Sequence, residues 1–153
     1  KGTDTIRIYN LHLQSNRLNN ADIKFLEELG NKEVDELKSS EQIFSKLKSG
    51  FIKRASQAEI VAEHMIKCPY PKVVCGDFND SPFSYTYATI GRELTDAFEE
   101  RGTGFGRTYN GKFPSFRIDY ILYGREFTAS SFQTLPVDYS DHYPITAVLE
   151  IKK

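Results

Sequence analysis

The sequence is poor in several residue types and patterns, and each absence excludes a class of protein. Of its 153 residues none is tryptophan, one is methionine, and two are cysteines, at positions 68 and 75. Cys68 and Cys75 form neither a disulfide scaffold nor a CxxC metal site. No apolar run approaches the roughly 20 residues that a membrane span requires.

An excess of one charge is also lacking, because Lys+Arg 20 against Asp+Glu 21 gives a net charge of −1. A protein that binds nucleic acid mainly through an overall basic field is therefore excluded, while a local basic patch stays open. The chain also lacks a P-loop, an HExxH motif and a nucleophile elbow, which makes covalent catalysis the weaker interpretation.

What is present is a chain of one domain's size, with 13% aromatic residues, too many for disorder. Its periodicity predicts a helix over Ser40 to Lys67, with an apolar stripe that includes Phe44 and Phe51. Strands are predicted at Thr5–Leu13, Lys72–Phe78, Arg117–Tyr123, Glu126–Gln133 and Pro144–Ile151. Gly124-Arg125 fits a hairpin turn between the third and fourth strands.

Polar residues stand near the ends of these strands: Asn10, His12, Asp77, Asn79, Asp119, Asp141 and His142. The long, helix-containing link between the first two strands predicts a parallel crossover, so their polar pairs reach one edge. Asp119 lies near the start of the third strand and His142 just before the fifth. These two residues reach the same edge only if their strands run antiparallel, and a single mixed sheet is therefore predicted.

This set of residues suits the hydrolysis of a phosphate ester. Asp and Asn supply the hard oxygen ligands that Mg²⁺ prefers. A histidine beside a carboxylate is fixed in one tautomer and serves as a general base. Asn and His side chains donate hydrogen bonds to phosphoryl oxygens as charge develops.

Four sequence blocks then resemble the endonuclease/exonuclease/phosphatase superfamily, the group that includes DNase I. The blocks, in the family's order, are Asn10-Leu11-His12-Leu13, Gly76-Asp77-Phe78-Asn79, Arg117-Ile118-Asp119-Tyr120 and Ser140-Asp141-His142-Tyr143-Pro144-Ile145. The resemblance implies a DNase I-like four-layer α/β sandwich, of which this chain supplies one mixed β-sheet with helices on its outer face.

The resemblance also implies a role for each residue. His142 is the base that activates water, Asp119 orients it, and Asp141 helps to bind the metal, Mg²⁺ or Mn²⁺. Asp77 positions the nucleophile or takes part in proton transfer. Asn79 holds the phosphate. His12 contacts the phosphate or assists the leaving group, and Asn10 supports His12.

One departure from the family pattern concerns the start of the chain. Family members carry an Asn and a metal-binding Glu before the block that here begins at Asn10, and none of the nine preceding residues is Glu. The resemblance therefore implies that residues 1–153 are the C-terminal half of the domain. We expect an apolar sheet face that packs on the missing N-terminal half or mediates self-association, and weak or no activity of this half alone.

Several alternatives stay open at this stage. The phosphate-ester substrate is a nucleic acid, a lipid head group or a small molecule, and a non-catalytic binding or assembly module is the alternative function. Four further residues either contact substrate or serve only a loop and strand edge: Arg107, Thr108, Tyr109 and Arg117.

Overall fold

A computed structural model of the chain describes residues 5–29, 37–111 and 116–152. The helices are α1 (Asn20–Leu29), α2 (Leu37–Lys67), α3 (Tyr85–Ile90) and α4 (Ala97–Arg101). The strands are β1 (Arg7–His12), β2 (Lys72–Asp77), β3 (Thr95–Asp96), β4 (Asp119–Tyr123), β5 (Phe127–Thr134) and β6 (Ile145–Ile151). None of the helices within the described ranges has the length and hydrophobicity of a membrane span.

A mixed sheet in the order β1-β2-β4-β3 forms the centre of the fold. β1 and β2 are parallel, as the long connection through α1 and α2 predicts, and β4 is antiparallel to β2. In this register His12 pairs with Asp77, and Asp77 pairs with Asp119. Three of the predicted site residues therefore stand side by side across three neighbouring strands.

The last two strands do not extend this sheet, and in this respect the prediction is wrong. β5 pairs with β6 in a separate two-stranded sheet, and the turn after Gly124 does not make a hairpin of β4 and β5. The reason is that both edges of β4 are already hydrogen-bonded, one to β2 and the other to the short β3. A two-residue strand such as β3 leaves almost no signal in a sequence.

The two faces of the central sheet are covered by different elements. Helices α2 and α3 pack on one face, where Ala58 and Met65 of α2 meet Val74, Tyr120 and their neighbours. On the other face Val73 and Ile121 pack with residues of the β5–β6 sheet. Because side chains alternate along a strand, this second face is also the one that bears His12, Asp77 and Asp119.

The apolar stripe of α2 is only partly buried, against expectation. Ile43, Ala58 and Met65 are buried, whereas Phe44, Phe51 and Ile66 are exposed by 68%, 51% and 76%. A fully buried arginine, Arg54, occupies the inner face of the helix instead.

Candidate active site

The site is built on the row of three residues that the sheet register aligns. His12 ends β1, Asp77 ends β2 and Asp119 begins β4, so all three reach the same edge and the same face. His12 Nε2 lies 3.6 Å from Asp77 Oδ2, and the His12 side chain is 78% exposed. The sheet therefore fixes two carboxylates and presents a solvent-exposed histidine beside them.

His142 completes this group from the loop before β6. Its Nδ1 lies 2.9 Å from Asp119 Oδ2. An ionised carboxylate only accepts hydrogen bonds, so this contact places the imidazole proton on Nδ1 and leaves the Nε2 lone pair free. That Nε2 lies 4.0 Å from Asp77 Oδ2, and His142 lines the cleft at this edge of the sheet.

A second loop holds His142 in this place. Tyr109 forms a β-bridge with His142, and its ring meets the imidazole edge-on with 5.2 Å between centroids. The backbone N–H of Tyr143 donates to Thr108 O at 2.7 Å, and the Asn110 N–H donates to Asp141 O at 2.6 Å. Thr108 and Tyr109, whose roles the sequence left open, thus hold the loop that carries His142.

Asn79 orients Asp77 through a strained turn. Its backbone is left-handed, with φ 52°, a conformation that Asn tolerates better than most residues. Its backbone N–H donates to Asp77 Oδ1 at 2.7 Å, and its Nδ2 donates to Asp77 Oδ2 at 2.8 Å and to Leu13 O at 3.0 Å. Both Nδ2 protons are used in these two bonds, so Asn79 could donate to a phosphate only by giving up one of them. The phosphate contact of Asn79 therefore stays a prediction.

Negative charge is concentrated at the centre of the site. Burial raises the pKa of Asp77, and the nearby Asp119 charge raises it further, while the bond from the Asn79 N–H, His142 and His12 lower it. Oxygen and nitrogen atoms of Asp77, Asp119 and His142 lie within 4.8 Å of one another. Two carboxylates in mutual repulsion fit a hard divalent cation, which would relieve it.

The structure places Asp141 and Asn10 differently from this group. Asp141 lines the same cleft at its rim, where its carboxylate accepts a hydrogen bond from Ser140 Oγ at 3.2 Å. Asn10 is exposed two residues before His12 on the same face of β1 and does not line the cleft. Their predicted roles as metal ligand and as support for His12 stay predictions.

Arg54 is a structural part of the site that the sequence interpretation missed. It lies beneath the loops that follow β1 and β2: its Nε donates to Asp80 Oδ2 at 2.9 Å, and its Nη1 donates to Gln14 O at 2.8 Å. Arg54 lies four residues after Gly50 and four before Ala58, so the three share one face of α2, which is buried in the structure. The sequence alone does not show that this face is buried at Arg54.

Arg117, by contrast, is buried and does not line the cleft. It pairs with Asp96 and is surrounded by the rings of Tyr87, Phe98 and Tyr120. Of the two interpretations that the sequence left open for Arg117, the structure supports the structural one.

Comparison with known proteins identifies the family. The model of the endonuclease/exonuclease/phosphatase family matches residues 49–142, more than half of the chain. The chain belongs to this family. No curated protein sequence matches the chain.

Solved structures of the endonuclease/exonuclease/phosphatase family share this fold. A mannosyl-6-phosphatase of Bacteroides thetaiotaomicron is 24% identical with a TM-score of 0.57, over 65% of this chain and 46% of its own. A family protein of Bacteroides vulgatus is 27% identical with a TM-score of 0.57, over 67% and 46%. A 3′ phosphatase of Neisseria bound to a product DNA hairpin is 19% identical with a TM-score of 0.53, over 71% and 55%. The chain thus spans about half the length of these relatives, and its DNase I-like mixed sheet with helices on one face agrees with the fold predicted from the sequence.

Proposed function

We propose that this chain carries the later half of a metal-dependent phosphoesterase site, in which His142 activates the attacking water. The observation that carries the proposal is the 2.9 Å contact between His142 Nδ1 and Asp119 Oδ2, which leaves Nε2 free beside Asp77. Because water is the nucleophile in this arrangement, no nucleophilic side chain is needed, in accord with the lack of a nucleophile elbow in the sequence.

Each of the four residues has a distinct chemical role in this proposal. His142 Nε2 accepts a proton from water, and Asp119 stabilises the imidazolium that forms. The carboxylate of Asp77, 4.0 Å from Nε2, accepts a hydrogen bond from the same water and so orients it. His12, exposed at the end of β1, donates to a phosphate oxygen or to the leaving group.

The donor set suits a divalent metal, Mg²⁺ or Mn²⁺. We assign Asp141 at the rim of the cleft, together with the carboxylates of Asp77 and Asp119, as the ligands that this chain contributes. When bound, the metal supplies charge neutralisation at the phosphoryl oxygens.

The substrate is a phosphate ester in this proposal. Among the family relatives one is a phosphatase of a mannosyl 6-phosphate and another is a 3′ phosphatase bound to DNA. The net charge of −1 gives nucleic acid no special support over a smaller phosphate ester.

The test is p-nitrophenol release by the full-length protein, with and without Mg²⁺, from p-nitrophenyl phosphate and from bis(p-nitrophenyl) phosphate. Loss of the base in His142→Ala lowers turnover by about 10²–10⁴-fold. His64→Ala is the matched control, because His64 is exposed on α2 and contacts Tyr9 instead of the site. Equal turnover of the two variants would refute the assignment of the base, and binding without turnover would favour a binding module.

A further inference from the structure

The cleft at the edge of the sheet that bears the site extends well beyond the proposed phosphate site. Its volume is about 850 Å³, within the range of sites that enclose a whole small-molecule ligand. At one end lie His12, Asp77, Asp119 and His142. A phosphate group fills only a small part of this space, so the remainder is available to the organic group of the ester.

The cleft is also lined by an apolar wall, formed by Leu18, Ile23, Leu26, Leu47 and Phe51, and by polar residues such as Ser15, Asn16 and Arg17. Ile23 and Leu26 stand three residues apart on α1, and Leu47 and Phe51 stand four apart on α2, so each pair shares one face of its helix. Phe51 is 51% exposed although it lines the cleft. The apolar wall therefore offers hydrocarbon surface that the described part of the chain leaves uncovered.

The apolar wall is held in place by polar contacts behind it. Asn19 and Asp22 exchange backbone-to-side-chain hydrogen bonds of 2.8 and 2.9 Å at the start of α1, which is a capping box. Lys46 of α2 donates to Asp22, so the two helices that carry the wall are tied together.

Arg54 lines the cleft between the apolar wall and the phosphate end. Its side chain is fully buried, and within the described residues its Nη2 has no hydrogen-bond partner. The Phe51 ring lies over the guanidinium, 4.9 Å from its central carbon. A buried donor without an acceptor is costly in a folded protein, and an oxygen of a bound ligand would satisfy it.

We infer that the cleft binds a small phosphate monoester whose organic group is largely hydrocarbon, seated on the apolar wall. The inference rests on the proposed phosphate site at the other end of the cleft. A sugar phosphate fits the apolar wall less well, because hydroxyl groups placed against it would face side chains that cannot accept or donate hydrogen bonds.

The test is calorimetric titration of the full-length protein in Mg²⁺ with methylphosphonate and hexylphosphonate, which resist hydrolysis. A fully buried methylene contributes about fourfold in affinity, so partial burial of the longer chain predicts at least tenfold tighter binding of hexylphosphonate. Phe51→Ala reduces this gain by about threefold or more, since it removes part of the wall. The control is Phe44→Ala on the same helix, which is 68% exposed and outside the cleft, and it leaves the gain unchanged.

Each other outcome has a definite meaning. Equal affinity for the two phosphonates, or stronger competition by mannose 6-phosphate or AMP than by hexylphosphonate, overturns the hydrocarbon inference and leaves the phosphate site intact. Hexylphosphonate that inorganic phosphate does not displace also overturns it, because the two ends would then not act as one site. Failure of both phosphonates to bind refutes the proposed function as well.

Discussion

At the residue scale, the chemistry of the site depends on which imidazole nitrogen of His142 carries a proton. Asp119 decides this through one hydrogen bond of 2.9 Å, and Tyr109 restricts the ring from its edge. The two carboxylates near the His142 ring have different partners. Asp77, near Nε2, accepts two hydrogen bonds from Asn79, whereas Asp119 is hydrogen-bonded to Nδ1 of His142. The same residue type therefore serves two purposes in neighbouring strands.

The left-handed turn at Asn79 gives a prediction about stability. Asn79→Ala removes the side-chain bonds to Asp77 and Leu13 and also strains a backbone with φ 52°. Asn79→Gly removes the same bonds without the strain. Urea unfolding should show the Ala variant to be less stable than the Gly variant by about 1 kcal/mol. Equal stability of the two variants would mean that the turn is not left-handed in solution.

At the element scale, helix α2 ties together the two loops that carry site residues. Arg54 contacts Gln14 after β1 and Asp80 after β2, and Gln57 accepts from the Gln14 N–H at 2.9 Å. Asp80 in turn accepts from the buried Thr86 hydroxyl at 3.0 Å. Helix α2 thus braces the edge of the sheet where the site lies, through Arg54 and Gln57.

Breaking the buried pair of Arg54 and Asp80 should be costly. Arg54→Met leaves an uncompensated buried carboxylate and lowers the free energy of unfolding by about 3–5 kcal/mol. Adding Asp80→Asn removes that charge, so denaturant unfolding of the double variant should recover part of the loss. If instead the destabilisation of the double variant equals the sum of the losses in the Arg54→Met and Asp80→Asn single variants, the two residues are not a coupled pair.

Helix α1 supplies a prediction about pH. The hydrogen bond from Lys46 lowers the pKa of Asp22 below its ordinary value of 3.8, and the bond from the Asn19 N–H lowers it further. A carboxylate with a lowered folded-state pKa stabilises the fold above pH 3.8, and this contribution is lost as the pH falls through the folded-state pKa.

The stability difference between the wild-type protein and Asp22→Asn should therefore be largest above about pH 4 and shrink toward pH 2. Unfolding in urea with EDTA present measures it. In a Lys46→Met background the same difference should depend much less on pH. A difference that stays constant with pH in the wild-type background would contradict the ion pair.

The elements also show where sequence reasoning succeeds and fails. The parallel crossover and the meeting of Asp119 with His142 follow from strand-end positions and were predicted. The pairing of β5 was wrong because a strand's neighbour depends on which edges are already occupied, and β3 has only two residues. Arg54 was missed because a lone charge on a helix ordinarily faces water, and only its tertiary partners Asp80 and Gln14 reveal its burial.

At the scale of the whole molecule, the chain spans about half the length of its solved relatives. The sheet face that bears the site also exposes Ile6 and Ile8, by 40% and 65%. We propose that a complementary half of the domain or a second copy of the chain packs on this face. If a complementary half of the domain is the partner, residues 1–153 alone should hydrolyse phosphodiesters weakly, and full activity of this segment would contradict the proposal that it carries only half of the site.

The exposed face gives the corresponding prediction. Residues 1–153 should self-associate in sedimentation velocity or bind a hydrophobic dye, because large exposed apolar patches are unusual on monomers. Ile8→Ser should weaken both effects. The control is Ile66→Ser, whose side chain is 76% exposed on α2, across the sheet from Ile8. A monomer that binds no dye, or equal effects of the two substitutions, would contradict this role.

The most direct test of the proposed base is the tautomer of His142, read from long-range ¹H–¹⁵N spectra. The chain has three histidines, so His12 and His64 serve as internal references. The structure predicts that neutral His142 carries its proton on Nδ1 and that Asp119→Ala removes this preference. A proton on Nε2 in the wild-type protein, or a tautomer that does not respond to loss of Asp119, would contradict the assignment of His142 as the base.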